Sequence, residues 1–132
     1  MKTLPLRLSP GDDLRAALQA AVLAQGCAAA FVVAGIGSLR EARIRCAGRD
    51  EARHVVGDLE ILTLAGTIGV DGVHLHASLS DADGAVFGGH VAPGCIVRTT
   101  AEVLLALLAD VAFTREPDAV TGYAELAIRP RT

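Results

Sequence analysis

The chain has little with which to build an aromatic core: no Trp, one Tyr and three Phe among 132 residues. Its interior must come from Ala, Val, Leu and Ile, which a 52% hydrophobic content supplies and which excludes a disordered chain. Cysteine is scarce and unpatterned. Cys27, Cys46 and Cys95 are odd in number and lack CxxC spacing, so neither a disulfide framework nor a zinc knuckle follows. They read as small buried hydrophobes in a reducing compartment. Positive charge is also short, with 12 Lys and Arg against 15 Asp and Glu and a net charge of −3. A sequence-independent grip on nucleic acid needs a basic surface, so direct binding is expected to be weak. Long apolar runs are missing too. The longest, residues 103–113, is interrupted by Asp110 and is too short to span a bilayer. Met1-Lys2-Thr3-Leu4-Pro5 has no signal-peptide design, so the expectation is a cytoplasmic protein with no membrane association, a single domain over residues 1–132.

What is present is an uneven use of histidine. Three of the four fall in Val73-His74-Leu75-His76-Ala77-Ser78-Leu79-Ser80 and Ala85-Val86-Phe87-Gly88-Gly89-His90. The first stretch alternates, with Val73, Leu75, Ala77 and Leu79 on one side and His74, His76, Ser78 and Ser80 on the other, the period-two signature of a half-buried strand. Asp81-Ala82-Asp83-Gly84 reads as a type I turn with glycine at the left-handed position, a hairpin connection that sets Asp81 opposite Ala85. That register puts His76 directly opposite His90, Leu79 opposite Phe87 and Leu75 opposite Val91. A one-residue slip would break the polar and the apolar match together. Directly opposed Cβ atoms lie about 5 Å apart and diagonal ones about 7–8 Å, within reach of imidazoles sharing one ion. His74, His76 and His90 are therefore the candidate ligands of a divalent metal, probed first as Zn²⁺, with a fourth position open. Gly88 and Gly89 fit the same picture by leaving room above the strand.

The rest of the chain reads as strands with few helices. Residues 3–8 alternate. Ser9-Pro10-Gly11-Asp12 reads as a helix start with a capping hydroxyl and Pro at the first helical position; Leu14, Leu18 and Val22 follow helical spacing, and Gly26 supplies the stop. Residues 28–34 form a short apolar strand ending at Gly35-Ile36-Gly37, and residues 39–46 alternate again. Residues 48–54 read as a polar loop, which leaves His54 exposed. Residues 59–68 form another strand. Residues 96–113 fit either a helix or a strand buried on both faces. Arg115-Glu116-Pro117-Asp118 reads as a turn and residues 120–128 as a last strand. Hairpin-length connections favour an α+β fold with a mostly antiparallel central sheet.

These segments resemble the plants-and-prokaryotes-conserved (PPC) domain. The matching pieces are Gly35-Ile36-Gly37-Ser38-Leu39, Gly57-Asp58-Leu59-Glu60-Ile61-Leu62, His74-Leu75-His76, Asp83-Gly84, Gly88-Gly89-His90, Thr100-Ala101-Glu102-Val103, and Asp118 with Thr121-Gly122. The resemblance, to a family whose members follow AT-hooks in plant nuclear proteins and stand alone in prokaryotes, implies an antiparallel sheet flanked by helices and a homotrimer. It favours the strand reading of residues 103–108. Because that segment is apolar on both strand faces, Leu105 and Leu107 are expected to meet a neighbouring subunit. The Gly-Arg-Phe-Glu-Ile-Leu element that helps plant members recruit partner proteins has Asp58 and Leu59 in place of Arg and Phe, and no Arg-Gly-Arg-Pro hook is present.

Two functions from different classes survive. One is a homotrimeric assembly and interaction module, associated with DNA or chromatin through partner proteins. The other is a small metal-dependent hydrolase or lyase using the three histidines. Glu60 and Glu102 sit within apolar strands, where an unpaired carboxylate is costly. Each either pairs with an Arg such as Arg40 or Arg98, or orients a ligating histidine or acts as a general base. Gly35-Ile36-Gly37 lacks a third glycine, Arg40 standing there, and a strand follows, which rejects a dinucleotide loop.

Overall fold

The computed structural model describes residues 1–131. The chain runs β1 (Lys2–Leu8), α1 (Leu14–Ala24), β2 (Ala29–Arg45), β3 (Arg53–Gly69), β4 (Gly72–Ser80), β5 (Val86–Val91), β6 (Ile96–Leu107), β7 (Val111–Pro117) and β8 (Ala124–Pro130). Six strands form one sheet in the order β1-β6-β2-β3-β4-β5, and β7 and β8 form a separate hairpin. Every pairing between these strands is antiparallel. β2 also meets β5, through Ile44 opposite Val91 and Arg45 opposite His90. That extra pairing joins β2, β3, β4 and β5 into a closed ring of neighbours. Pro5 is tolerated in β1 because this strand lies at the sheet edge and pairs with β6 alone.

Among the described residues the fold is thus a mostly antiparallel sheet with one short helix rather than several. Leu14, Leu18 and Val22 of α1 are fully buried against the sheet. They join Leu39, Ile44, Leu59, Ile68, Leu75, Leu79 and Leu105 in an aliphatic core. The helix starts four residues later than the Ser-Pro signal suggests, at Leu14 and not Pro10. Asp13 caps it by accepting from the Ala16 N–H at 3.0 Å. Ser9 instead closes a turn, its carbonyl accepting from the Asp12 N–H at 3.1 Å and its own N–H donating to the Asp12 carboxylate at 2.9 Å. Gly26, in the left-handed region at φ 68°, ends the helix as expected.

Other boundaries move as well. Gly35-Ile36-Gly37 does not end a strand: β2 runs straight through it. A Cβ on Gly37 would stand 2.5 Å from the Thr100 carbonyl oxygen of β6, so glycine here permits close approach of two strands. β3 begins at Arg53, which places His54 in a strand and not in a loop. Arg115, Glu116 and Pro117 lie in β7, and the reversal falls later, where the Gly122 N–H donates to the Asp118 carbonyl at 2.8 Å. Residues 103–107 are strand, as the resemblance favours.

Leu105 and Leu107 do not face outward. They are 0% and 1% exposed within this chain, because the helix side of the sheet already covers them. The outward residue of the segment is Leu104. It shares three adjacent strands with other exposed apolar side chains, namely Phe31, Val33 and Ile36 of β2 and Leu62 of β3. Of the cysteines, Cys95 is buried, Cys27 is half-buried and Cys46 is exposed, so only one behaves as a core hydrophobe.

Candidate metal centre

The β4–β5 register has His76 opposite His90, Leu79 opposite Phe87 and Ser80 opposite Val86. The turn that fixes it is the expected one, with the Gly84 N–H donating to the Asp81 carbonyl and the Asp81 N–H to the Ala85 carbonyl, both at 3.0 Å. The Asp81 carboxylate clamps the turn further by accepting from the Asp83 and Ala85 N–H groups at 2.9 Å. Across the sheet a row forms: Arg45 of β2 opposite His90, His90 opposite His76, and His76 opposite Ala65 of β3. Opposed residues share a face, so Arg45, His90 and His76 project together. His74, two residues before His76, projects the same way and stands opposite Thr67.

The three imidazoles meet. His76 Nε2 lies 3.1 Å from His90 Nδ1. The His74 ring is stacked on His90 at 5.3 Å between centroids and sits edge-on to His76 at 4.9 Å. One nitrogen from each ring lies within 4.8 Å of the other two. Nitrogens bound tetrahedrally to zinc at about 2.0–2.1 Å stand about 3.3 Å apart, so small side-chain rotations bring this set onto one ion. The donor chemistry fits as well, since imidazole nitrogen suits zinc and its neighbours in the first transition row. Burial pushes the His74 imidazole below the usual histidine pKa, with His76, Arg115 and His90 adding to the effect and Glu125 opposing it. His90 is lowered by burial, then by His76 and Arg45. Both are thereby held in the neutral form that coordinates metal.

Neither expected carboxylate joins them. Glu60 stands opposite Ser38 and Ser80, four residues along β4 from His76, or about 13 Å at the usual strand rise. Glu102 lies on β6 opposite Arg7 and Ile36, and β2 and β3 separate that strand from β4. Both are exposed, so water solvates them and no Arg partner is required; Arg98 pairs instead with Asp58 at 3.0 Å. Gly88 and Gly89 also serve another purpose than leaving room. A Cβ on Gly89 would lie 2.7 Å from the Arg45 carbonyl oxygen, and one on Gly88 would run into that of Ala77. Their missing side chains let β5 press against β2 and β4. His54 is not simply solvated, its Nε2 lying 2.8 Å from Glu41 Oε2.

The open space lies beside the histidines. A cavity of about 640 Å³ is lined by His74, His90, Arg15, Arg45, Arg115 and Glu125 among others. The β7–β8 hairpin walls it, held down by the Phe113 N–H donating to the Ala28 carbonyl at 3.0 Å and by Phe113 packed edge-on against Phe31. None of the arginines or Glu125 is signalled locally in the sequence, because they come from α1, β2, β7 and β8 and converge only in the fold.

A mostly antiparallel sheet with one helix and a three-histidine cluster on a hairpin face defines the class of protein. Residues 1–109 match the model of the Plants and Prokaryotes Conserved (PCC) domain, and the chain belongs to that family. It is similar to a bifunctional protein GlmU from Synechococcus sp. (strain JA-2-3B'a(2-13)), with 45% identity over 130 residues, 98% of this chain and 21% of the GlmU. The chain thus spans about a fifth of the length of the curated relatives it matches. A hypothetical protein from Salmonella enterica has a solved structure with a TM-score of 0.95 and 38% identity, covering 99% of this chain and 95% of that one. The crystal structure of a metal-containing protein from Archaeoglobus fulgidus superposes with a TM-score of 0.82 at 28% identity, covering 96% and 94% of the two chains. Among the described residues no helix is long and apolar enough to cross a membrane.

Proposed function

We propose that this chain is a homotrimeric assembly and interaction module of the PCC family that holds one divalent ion, zinc by its donor set, on His74, His76 and His90. The observation that carries the reading is the convergence of three imidazoles from two paired strands, with one nitrogen of each within 4.8 Å of the others. Three protein ligands leave a fourth coordination position for water, an anion or a ligand. The metal-containing Archaeoglobus protein supports the site. The exposed apolar side chains on β2, β3 and β6 support assembly, and the number three comes from the family resemblance. The GlmU relative, in which the matched region is a fifth of a longer chain, supports a module that works beside other functional units. Any association with DNA or chromatin runs through partner proteins, given the net charge of −3.

A second reading, a metal-dependent hydrolase or lyase, is favoured by one observation: the cavity opens directly beside His74 and His90. One experiment addresses the shared site. Tag-free protein is loaded with zinc, dialysed and analysed for metal content. One ion per chain is expected. Stoichiometry unchanged in a His74→Ala/His76→Ala double variant sinks the site. A module keeps its trimer and its partner binding after chelation, whereas an enzyme loses turnover.

A further inference from the structure

Three guanidinium groups reach the cavity beside the histidines from remote parts of the chain: Arg15 of α1, Arg45 of β2 and Arg115 of β7. In a protein of net charge −3 such a concentration of positive charge calls for an explanation. Ion pairing does not provide one. The ion pairs among the described residues are His54–Glu41, Arg98–Asp58 and Arg129–Glu116, and none involves these three arginines.

Each is instead steered by a neutral partner. Arg15 Nη1 donates to the Val91 carbonyl at 3.0 Å. Arg45 Nη1 donates to the Arg49 carbonyl at 3.2 Å. Arg115 Nη2 donates to Thr67 Oγ1 at 3.1 Å, next to His74 in the ladder. A guanidinium has five N–H donors, so most remain free at each residue. Two carboxylates also line the cavity, Asp71 accepting from the Arg115 backbone N–H at 3.0 Å and Glu125 from the Thr121 hydroxyl at 3.3 Å, so three arginines against two acids leave positive charge in excess. Burial pushes half-buried Arg15 below the usual arginine pKa, and the nearby Asp13 carboxylate opposes that shift.

We infer that Arg15, Arg45 and Arg115 form an oxyanion-binding wall, taking the carboxylate or phosphate end of a small molecule seated in this cavity. The guanidinium fork matches the planar or tetrahedral oxygens of both groups, and the cavity volume of about 640 Å³ falls in the range of small-ligand sites. This reading rests on the proposed metal site only for what the other end of that molecule does, which is to reach toward the histidines.

Metal-free protein, titrated calorimetrically at pH 8 with inorganic phosphate and separately with succinate, tests the wall alone. Saturable binding of at least one probe, one site per chain, is expected. The probe that binds more tightly assigns the anion as phosphate or carboxylate. An Arg45→Gln/Arg115→Gln variant should bind at least tenfold more weakly, while Arg98→Gln, paired with Asp58 outside the cavity, should match the parent. Binding of neither probe, or equal affinity in all three proteins, overturns the inference. Should the double variant fail to fold, the wild-type protein still decides: phosphate or succinate must shift the Nε–H resonances of Arg45 and Arg115, and unmoved resonances refute the wall. Zinc stoichiometry is measured independently, so either reading can fail while the other stands.

Discussion

His76 and His90 stand directly opposite each other on β4 and β5, with Nε2 of one 3.1 Å from Nδ1 of the other. An N–H···N contact uses one nitrogen as donor and the other as acceptor, whereas an ion bound between them takes a lone pair from each, the donor ring carrying its N–H on its other nitrogen. Loading with Co²⁺ should therefore give the strong visible bands of a four-coordinate site. Removing any one of His74, His76 or His90 should weaken binding by tenfold or more, read by competition with a chromogenic chelator. A His90→Ala variant that keeps both the spectrum and the affinity would exclude His90 as a ligand.

Acid should release the ion. His74 and His90 both have their pKa held below the usual histidine value of about 6.5 by burial first and by neighbouring imidazoles and arginines second. The neutral form is thus favoured in the folded state. Its contribution to stability is complete above the unfolded value and is lost as pH falls through the lower folded values. Metal-free protein should lose thermal stability as pH is lowered from about 7 through 6 and below, and a His74→Ala/His90→Ala variant should show a flatter profile. Equal slopes over that window would show that these imidazoles do not titrate differently on folding.

Assembly should depend on the outward apolar side chains and not on the buried ones. Leu104→Lys, or Val33→Lys near it on β2, places a charge in the proposed subunit contact and should dissociate the oligomer while leaving the chain folded. Light scattering should read three times the 13.6 kDa chain mass for the parent and the single chain mass for the variants. By contrast Leu105→Ala, at a fully buried position, should lower stability by about 2–5 kcal/mol through the cavity it leaves. A parent that scatters as a monomer at micromolar concentration removes the trimer.

The histidine hairpin was legible in the sequence because its register is set locally: Asp81 and Gly84 define the turn, and the alternation of Leu75 to Leu79 against Phe87 defines the face. The β7–β8 hairpin was not. Arg115-Glu116-Pro117-Asp118 has turn-like composition, yet β7 continues through Pro117, which pairs with Ala124 of β8 in a two-stranded hairpin where proline is tolerated, and the reversal waits for Gly122. The swap of Ser9 for Asp13 as helix cap was not legible either: both are good caps, and tertiary bonds from the Leu14 N–H to the Cys95 carbonyl and from the Gly94 N–H to the Asp13 carboxylate select the later start. The arginine wall lay beyond sequence reading for a different reason: its members are brought together by sheet order, which no spacing along the chain encodes.

Direct nucleic-acid binding should be weak. The cavity arginines are recessed beside the histidines, and the net charge of −3 opposes a phosphate backbone at longer range. A mobility-shift titration with duplex DNA should show binding that vanishes as salt approaches physiological strength. Sequence-specific, salt-resistant binding by this chain alone would require a basic surface created by assembly.

The tight contact between β5 and β2 at Gly89 separates the effect of space from that of backbone strain. Gly89 and Gly57 have nearly the same φ, 156° and 154°, so alanine meets a comparable φ penalty at either position. Their surroundings differ. A Cβ at Gly57 meets nothing within 4 Å, whereas one at Gly89 lies 2.7 Å from the Arg45 carbonyl oxygen and 3.0 Å from Ile44 Cγ2. Backbone atoms cannot rotate away, so Gly89→Ala must push β5 off β2 and carry the neighbouring His90 with it. Gly89→Ala should therefore destabilise the chain by about 1–3 kcal/mol more than Gly57→Ala, the usual range for overpacking. It should also weaken zinc binding, which Gly57→Ala should leave intact. Equal stability losses in the two variants, with zinc affinity untouched in both, would mean that the β2–β5 contact does not position His90.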